Sequence, residues 1–144
     1  MIRLKRAYEP PAPGDGTRVL VDRLWPRGVS REQIKIKAWI PDLGPSSALR
    51  TWFGHDPEKW DVFRRRYLKE LEGKRVPLQQ LAAYARRGTL TLVYGARDTT
   101  HNQAVVIKEA LESRGGRTGQ GRAASRGRIR KRSPRRSRSP REGA

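Results

Sequence analysis

The chain has 144 residues, which suits one ordinary domain, and its 33 Lys or Arg against 14 Asp or Glu give a formal net charge of +19. Cysteine is absent, so disulfides, thiolate metal sites and a cysteine nucleophile are excluded, and two histidines are the only imidazoles. No run of about 18 apolar residues is present, and the N-terminal segment is charged where a secretory leader would be apolar, so we expect a cytoplasmic protein with no membrane partner.

The apolar pattern of the first 40 residues predicts three strands and a short helical turn. Apolar and charged residues alternate over 2–5, which indicates a first strand, and turn-forming residues follow it at 10–16. Residues 18–25 begin with consecutive apolar residues, a pattern typical of a strand buried on both faces. A capping box at 30–33 predicts a short helical turn, and alternating apolar residues over 34–40 then predict a third strand.

Three helices are predicted in the middle of the chain. The first begins after the N-cap Ser46 and ends at Gly54. The second is capped by Asp56 and has Pro57 as its first residue. Its apolar stripe consists of Trp60, Phe63, Tyr67, Leu68 and Leu71. The third helix ends at Gly88.

Residues 89–94 predict another strand, and a last helix is expected to begin near Thr100 or His101 and to end near Ser113. Strands that alternate with helices indicate an α/β fold, in which helices pack on a small, largely parallel sheet. We therefore place the domain at residues 1–113.

Residues 114–144 differ in composition from the domain. They hold 12 of the 33 cations, and Ile129 is their only large aliphatic residue. So little apolar surface cannot offset roughly 1–2 kcal/mol of backbone entropy per residue, which predicts a disordered basic tail.

The positive charge of the tail predicts a nucleic acid partner. We expect binding without sequence preference, because the tail has no aromatic residue that could stack on bases. The candidate contacts are Arg128, Arg130, Lys131, Arg132, Arg135 and Arg136. The alternative is a neutral extension with no partner.

The candidate site lies at the ends of the two buried strands, because ligands of open α/β sheets bind beyond the carboxyl ends of the strands. Polar clusters follow both strands. The first contains Asp22, Arg23, Trp25 and Arg27, and the second contains Arg97, Asp98, His101 and Asn102. If the two strands are parallel neighbours, these clusters face one cleft.

The charge of this cleft predicts a small anionic ligand, such as a nucleotide or another phosphate-bearing compound. Arg23, Arg27 and Arg97 would hold the anion, and Trp25 and Asn102 are further candidate ligand contacts. The structural alternative for the arginines is that they pair with carboxylates and fix the loops.

Three residues of the same clusters could act as acids or bases if the protein is an enzyme: Asp22, Asp98 and His101. Helix capping is the structural alternative for Asp98. His55 and Asp56 are adjacent at a predicted helix start, where capping by Asp56 is favoured over an acid–base pair.

No cofactor is indicated by the sequence. It contains no G-x-G-x-x-G motif, Walker loop or G-x-S-x-G elbow, which argues against dinucleotide oxidoreductases, P-loop NTPases and serine hydrolases. The two histidines are far apart in the chain, which argues against a metal site, although magnesium bound by carboxylates stays open.

Three segments in order carry a family resemblance: VLVDRLWPRGVSRE, PSSALRTWFGHDPEKWDVFRRRYLKEL and LTLVYGARDTTHNQAVVIKEAL. Together they resemble the bacterial YeaO-like family, a domain of unknown function, over about residues 1–113. The resemblance implies a small α/β protein. It also implies shared polar positions at Asp22, Arg23, Arg27, His55, Asp56, Arg97, Asp98 and Asn102. The family pattern has Ser or Ala at Gly95 and His or Ala near Gln103.

Three classes of function follow. The first is a domain that binds a small anionic ligand at the strand ends, with catalysis left open. The second is a non-catalytic protein that associates with nucleic acid through its basic tail. The third is a regulatory module that binds another protein.

Overall fold

The computed structural model describes the backbone of residues 1–118 and the side chains of residues 1–113. The strands are β1 (Ile2–Arg6), β2 (Thr17–Leu20), β3 (Ala38–Trp39) and β4 (Leu90–Tyr94). The helices are α1 (Arg31–Ile34), α2 (Ser47–Phe53), α3 (Trp60–Glu72), α4 (Arg75–Arg87) and α5 (Gln103–Thr118). Single 3₁₀ turns span Pro13–Asp15, Pro41–Leu43 and Pro57–Lys59.

The four strands form one parallel sheet in the order β1–β4–β2–β3. The pairing of β2 with β4 sets Val19 opposite Leu92 and Leu20 opposite Val93. Helical segments lie in the chain between the strands of each parallel pair, which is the usual form of a crossover connection. The expected α/β class with helices on a small parallel sheet is confirmed.

Both faces of the central strands are covered. Val19, Val21 and Leu92 point to the main core, which contains the apolar stripes of α3, α4 and α5. Leu20 and Val93 point to a smaller core on the other face, which is closed by Ile34 of α1 and by Ala7. This two-sided burial explains the continuous apolar runs in the sequence.

A buried charge network also lies on the smaller-core face. Asp15 and Arg18 are 1% and 5% exposed, and an Nη1–H of Arg18 donates to Asp15 at 2.7 Å. The same carboxylate pairs with Lys5 at 3.1 Å. The other guanidinium nitrogens of Arg18 donate to the Ile34 carbonyl at 3.0 and 2.8 Å. Since every buried charge has partners, the network ties β1, β2 and α1 together without an orphaned charge.

Two of the expected elements differ from the structure. The predicted strand at 34–40 is reduced to β3, because the capping box at Ser30 starts a helical turn that keeps Ile34 in α1. Lys35 then turns the chain with φ 48°. The last helix begins at Gln103 rather than near residue 100, because residues 98–101 form a separate turn around Asp98.

The predicted caps at Ser30 and Ser46 are confirmed, whereas Asp56 caps the 3₁₀ turn Pro57–Lys59 that precedes α3, so α3 itself begins at Trp60 rather than at Pro57. Ser30 exchanges hydrogen bonds with Gln33 in a capping box, Ser46 accepts from the N–H of Leu49, and Asp56 accepts from the N–H of Glu58.

Residues Met1–Leu111 form one compact unit. The domain boundary at residue 113 stays a prediction. The predicted basic tail lies outside the described residues from residue 119 onward.

Candidate functional site

The loops that follow β2 and β4 lie side by side because these strands are parallel neighbours. The N–H of Val21 donates to the Val93 carbonyl at 3.1 Å, which continues the pairing to the end of β2. One residue later, the Asp22 carboxylate accepts the N–H of Gly95 at 2.8 Å. The two polar clusters therefore begin at one point of the sheet edge.

A cleft of about 580 Å³ opens at this edge, within the size range of small-ligand sites. Its polar wall consists of Asp22, Arg23, Arg27, Arg50, His55, His101, Asn102 and Gln103. Its apolar wall includes Leu24, Trp25, Pro26, Pro45, Phe53 and Phe63. Tyr8, Gly95 and Ala96 complete the lining.

Asp22 is half-buried and is held by two donors of the protein. Oδ2 accepts the N–H of Gly95, and Oδ1 accepts the side-chain amide of Gln103, the first residue of α5. Among residues 1–113, no Lys, Arg or His forms a salt bridge with this carboxylate. Burial raises the pKa of Asp22 to about 6, and the hydrogen bond from Gly95 opposes that rise.

Arg23 is fixed by carbonyl groups rather than by a carboxylate. Its guanidinium donates to the Pro45 carbonyl at 2.9 and 3.2 Å and to the Gly44 carbonyl at 3.3 Å. The loop at Gly44 approaches closely, because a Cβ at that position would lie 3.1 Å from the Cβ of Arg23. The side chain is thus ordered, and no acid among residues 1–113 forms a salt bridge with it.

Arg27 and Arg50 are exposed, and both line the cleft. Within the described part of the chain, neither guanidinium has a hydrogen bond or a salt bridge. The backbone of Arg27 is anchored, since its carbonyl accepts the hydroxyl of Tyr8 at 3.0 Å. Sequence reasoning missed Arg50, because a single Arg on a predicted helix is typical of a solvated surface.

Aromatic rings form much of the apolar wall. Phe53 of α2 stacks on Phe63 of α3, with ring centroids 4.2 Å apart and planes inclined by 21°. His101 packs edge-on against Trp60 at 5.1 Å. His55 has φ 59°, a conformation that residues other than glycine rarely adopt, and its ring lies 6.2 Å from that of Phe53.

Trp25 also lines the cleft, and its ring is held in place. The indole N–H donates to the Val29 carbonyl at 2.6 Å. Trp39 meets the ring edge-on at 5.4 Å, and the guanidinium of Arg31 lies 5.2 Å from its centroid. Trp25 is therefore a rigid part of the wall.

The second predicted cluster is only partly at the cleft. His101 and Asn102 line it, whereas Arg97 and Asp98 do not. Asp98 accepts the backbone N–H groups of Thr100 and His101, both at 2.9 Å, and these bonds lower its pKa. Arg97 is exposed, and its guanidinium has no hydrogen bond, ion pair or ring contact with another described residue.

Asn102, rather than Asp98, caps α5. It is 3% exposed, its side-chain oxygen accepts the N–H of Val105 at 3.1 Å, and its amide donates to the Asp98 carbonyl at 2.8 Å. Asp98 also accepts from Nδ1 of His101 at 2.9 Å, which orients the imidazole. Asp98 and Asn102 therefore stabilise the turn that places His101 and Gln103 at the cleft.

No group of three or more His, Asp or Glu among the described residues is placed to hold a metal ion. In the same part of the chain, no helix is long and apolar enough to cross a membrane. The six candidate nucleic acid contacts between Arg128 and Arg136 lie outside the described residues.

Comparison with known proteins identifies the family. The model of DUF488-N3i, described as the inactive DUF488-N3 subclade, matches residues 1–129. The chain is 39% identical over 112 residues to the uncharacterized protein YeaO of Escherichia coli (strain K12), which covers 78% of this chain and 97% of YeaO. It is 37% identical over 113 residues to the uncharacterized protein Rv3073c of Mycobacterium tuberculosis (strain ATCC 25618 / H37Rv), covering 78% and 95% of the two chains. No solved structure matches the chain. The chain belongs to the YeaO-like family, within the inactive DUF488-N3 subclade.

Proposed function

We propose that this protein binds a small anionic ligand, a nucleotide or another phosphate-bearing compound, in the cleft at the ends of β2 and β4. One observation carries the proposal. Arg27 and Arg50 reach the same cleft from different elements, and neither has a partner among the described residues. Arg23 adds a third guanidinium that is already ordered by carbonyls.

Guanidinium groups suit phosphate because their N–H donors match two phosphate oxygens at once. The cleft lining contains three such groups and one acid, Asp22. The local excess of positive charge in the cleft favours an anion.

Binding without turnover fits the cleft better than catalysis. Asp98, one of the predicted acid–base residues, accepts four hydrogen bonds within its own turn and lies off the cleft lining. The description of the family as an inactive subclade agrees with a binding role. We therefore place Asp22 and His101 as ligand contacts. A cytoplasmic location, where nucleotides are abundant, belongs to the same proposal.

Thermal unfolding of the full chain with a panel of phosphate-bearing metabolites tests this proposal. A ligand present at about 100 times its Kd adds about 2.7 kcal/mol to the free energy of unfolding, which raises Tm by on the order of 10 °C. The double variant Arg27→Gln/Arg50→Gln should lose this rise, because it removes both unpaired guanidinium groups.

The matched control is Arg65→Gln/Arg86→Gln, which removes the same charge from exposed positions of α3 and α4 outside the cleft lining. It should keep the full rise in Tm. A flat response of the wild-type chain to the whole panel contradicts the proposal. An equal loss in both double variants also contradicts it, since it would mean that net charge alone attracts the ligand.

A further inference from the structure

The proposed anion site also contains a carboxylate, Asp22. This carboxylate would repel an anionic ligand that has no hydrogen-bond donors to offer it. Asp22 is the one acid in the lining formed by the described residues. It forms no salt bridge with any residue that the structure describes, and its half-buried position limits the water that can solvate it. A ligand that brings hydrogen-bond donors to this carboxylate would relieve that cost.

The Asp22 carboxylate can accept further hydrogen bonds beyond those from its two protein donors. A carboxylate offers about four lone-pair positions, two on each oxygen. Gly95 occupies one on Oδ2, and Gln103 occupies one on Oδ1. One position on each oxygen is left, a pair that matches two parallel N–H donors on a ligand.

The carboxylate is held by one backbone donor and one side-chain donor. The Gly95 donor is a main-chain N–H at the end of β4, and Gln103 is the first residue of α5. A Cβ at position 95 would lie 2.9 Å from Oδ2, so a side chain there would shift the carboxylate from its present position. A preorganised acceptor of this kind discriminates between ligands by their donors.

The apolar wall of the cleft indicates which kind of ligand group would carry these N–H donors. Leu24, which is 67% exposed, and the half-buried, immobilised ring of Trp25 offer apolar surface to a ligand ring, whereas Phe53 and Phe63 are buried and stack on each other. The cleft volume of about 580 Å³ suits a ligand of nucleotide size.

We propose that the cleft selects a guanine nucleotide, whose N1–H and 2-amino group bind the Asp22 carboxylate while its phosphate binds Arg27 and Arg50. Guanine presents two adjacent N–H donors on one edge, which is the arrangement that the open positions of Asp22 accept. This inference rests on the proposed function and adds the identity of the ring.

Isothermal titration calorimetry of the full chain with four probes tests the inference. GMP carries both donors, IMP lacks the 2-amino group, XMP has a carbonyl oxygen in its place, and ribose 5-phosphate has no base. We expect GMP to bind at least about 10-fold more tightly than IMP, the effect of a hydrogen bond to a charged acceptor. XMP should bind more weakly still, because its oxygen would face the carboxylate.

Asp22→Asn provides the matched variant. It replaces one acceptor oxygen with a donor, so the preference for GMP should disappear and XMP should gain affinity relative to GMP. The ranking of the four probes on the wild-type chain needs no variant, and it therefore tests the inference even if the substitution disturbs the loop.

The outcomes separate this inference from the proposed function. If ribose 5-phosphate or IMP binds the wild-type chain as tightly as GMP, and binding still requires Arg27 and Arg50, the guanine assignment is wrong and the anion site stands. If a preference for GMP persists unchanged in Asp22→Asn, Asp22 is not the discriminating group. If no phosphate-bearing compound binds, both proposals fail.

Discussion

At the scale of single residues, Asp22 carries the strongest functional signal of the described chain. Its carboxylate is half-buried, held by Gly95 and Gln103, and without a cationic partner among the described residues. Sequence reasoning identified this residue because a charged group directly after a buried strand is costly to desolvate. It could not identify Gln103, whose side chain reaches Asp22 from a position 81 residues away.

Asp22 should make stability depend on pH. Burial raises its pKa in the folded chain from 3.8 to about 6, so between these values the folded chain holds a proton that the unfolded chain has released. The free energy of unfolding therefore falls as pH rises from about 4 through 6, and then stays level. We expect this contribution to be about 1–3 kcal/mol.

Urea unfolding of the wild-type chain and of Asp22→Asn at pH 4, 5, 6 and 7 measures the effect. The remaining ionisable groups are common to the two proteins, so their contributions cancel in the difference. The stability of the wild-type chain relative to the variant should fall across this interval. A difference that stays constant over the whole range would show that Asp22 ionises as it does in the unfolded chain.

At the scale of elements, α2 decides the shape of the cleft, because it carries Arg50 and Phe53. Its start is fixed by Ser46, whose hydroxyl accepts the N–H of Leu49 and donates to Glu70 of α3 at 2.6 Å. The backbone N–H of Ser46 donates to the same carboxylate at 2.9 Å. One residue thus both caps α2 and ties it to α3.

Ser46→Ala should lower the free energy of unfolding by about 1–2 kcal/mol, since it removes the cap and one bond to Glu70. It should also weaken binding of a phosphate-bearing ligand, because Arg50 and Phe53 move with the helix. The control is Ser47→Ala, an exposed neighbour whose side chain has no partner among the described residues. Chemical denaturation and calorimetry of both variants provide the comparison. Equal stabilities and affinities for the two would mean that the cap does not position α2.

The sequence predicted elements well where their signals are local. Caps at Ser30, Ser46 and Asp56 involve residues two or three positions apart, so spacing alone reveals them. Spacing does not locate the start of α5, because Asp98 binds the N–H groups of residues 100 and 101 in a separate turn. It also predicts a third strand longer than β3, because the apolar Ile34 is buried by a helical turn instead.

At the scale of the whole molecule, the sheet order creates the cleft. A parallel sheet could be predicted from the alternation of strands and helices, and the confirmed neighbour relation of β2 and β4 brings the two loops together. The direction of individual side chains could not be predicted. Arg97 follows β4 directly in sequence yet does not line the cleft, whereas Arg50 reaches it from α2.

The proposed binding cleft is tested most directly by mapping which residues of the folded chain respond to a bound nucleotide. Titration of the isotopically labelled full chain with GMP, followed through its backbone amide resonances, should shift the signals of Arg27, Arg50 and Gly95 and leave those of α4 unchanged. Shifts confined to residues 114–144 would contradict the account and assign anion binding to the basic tail.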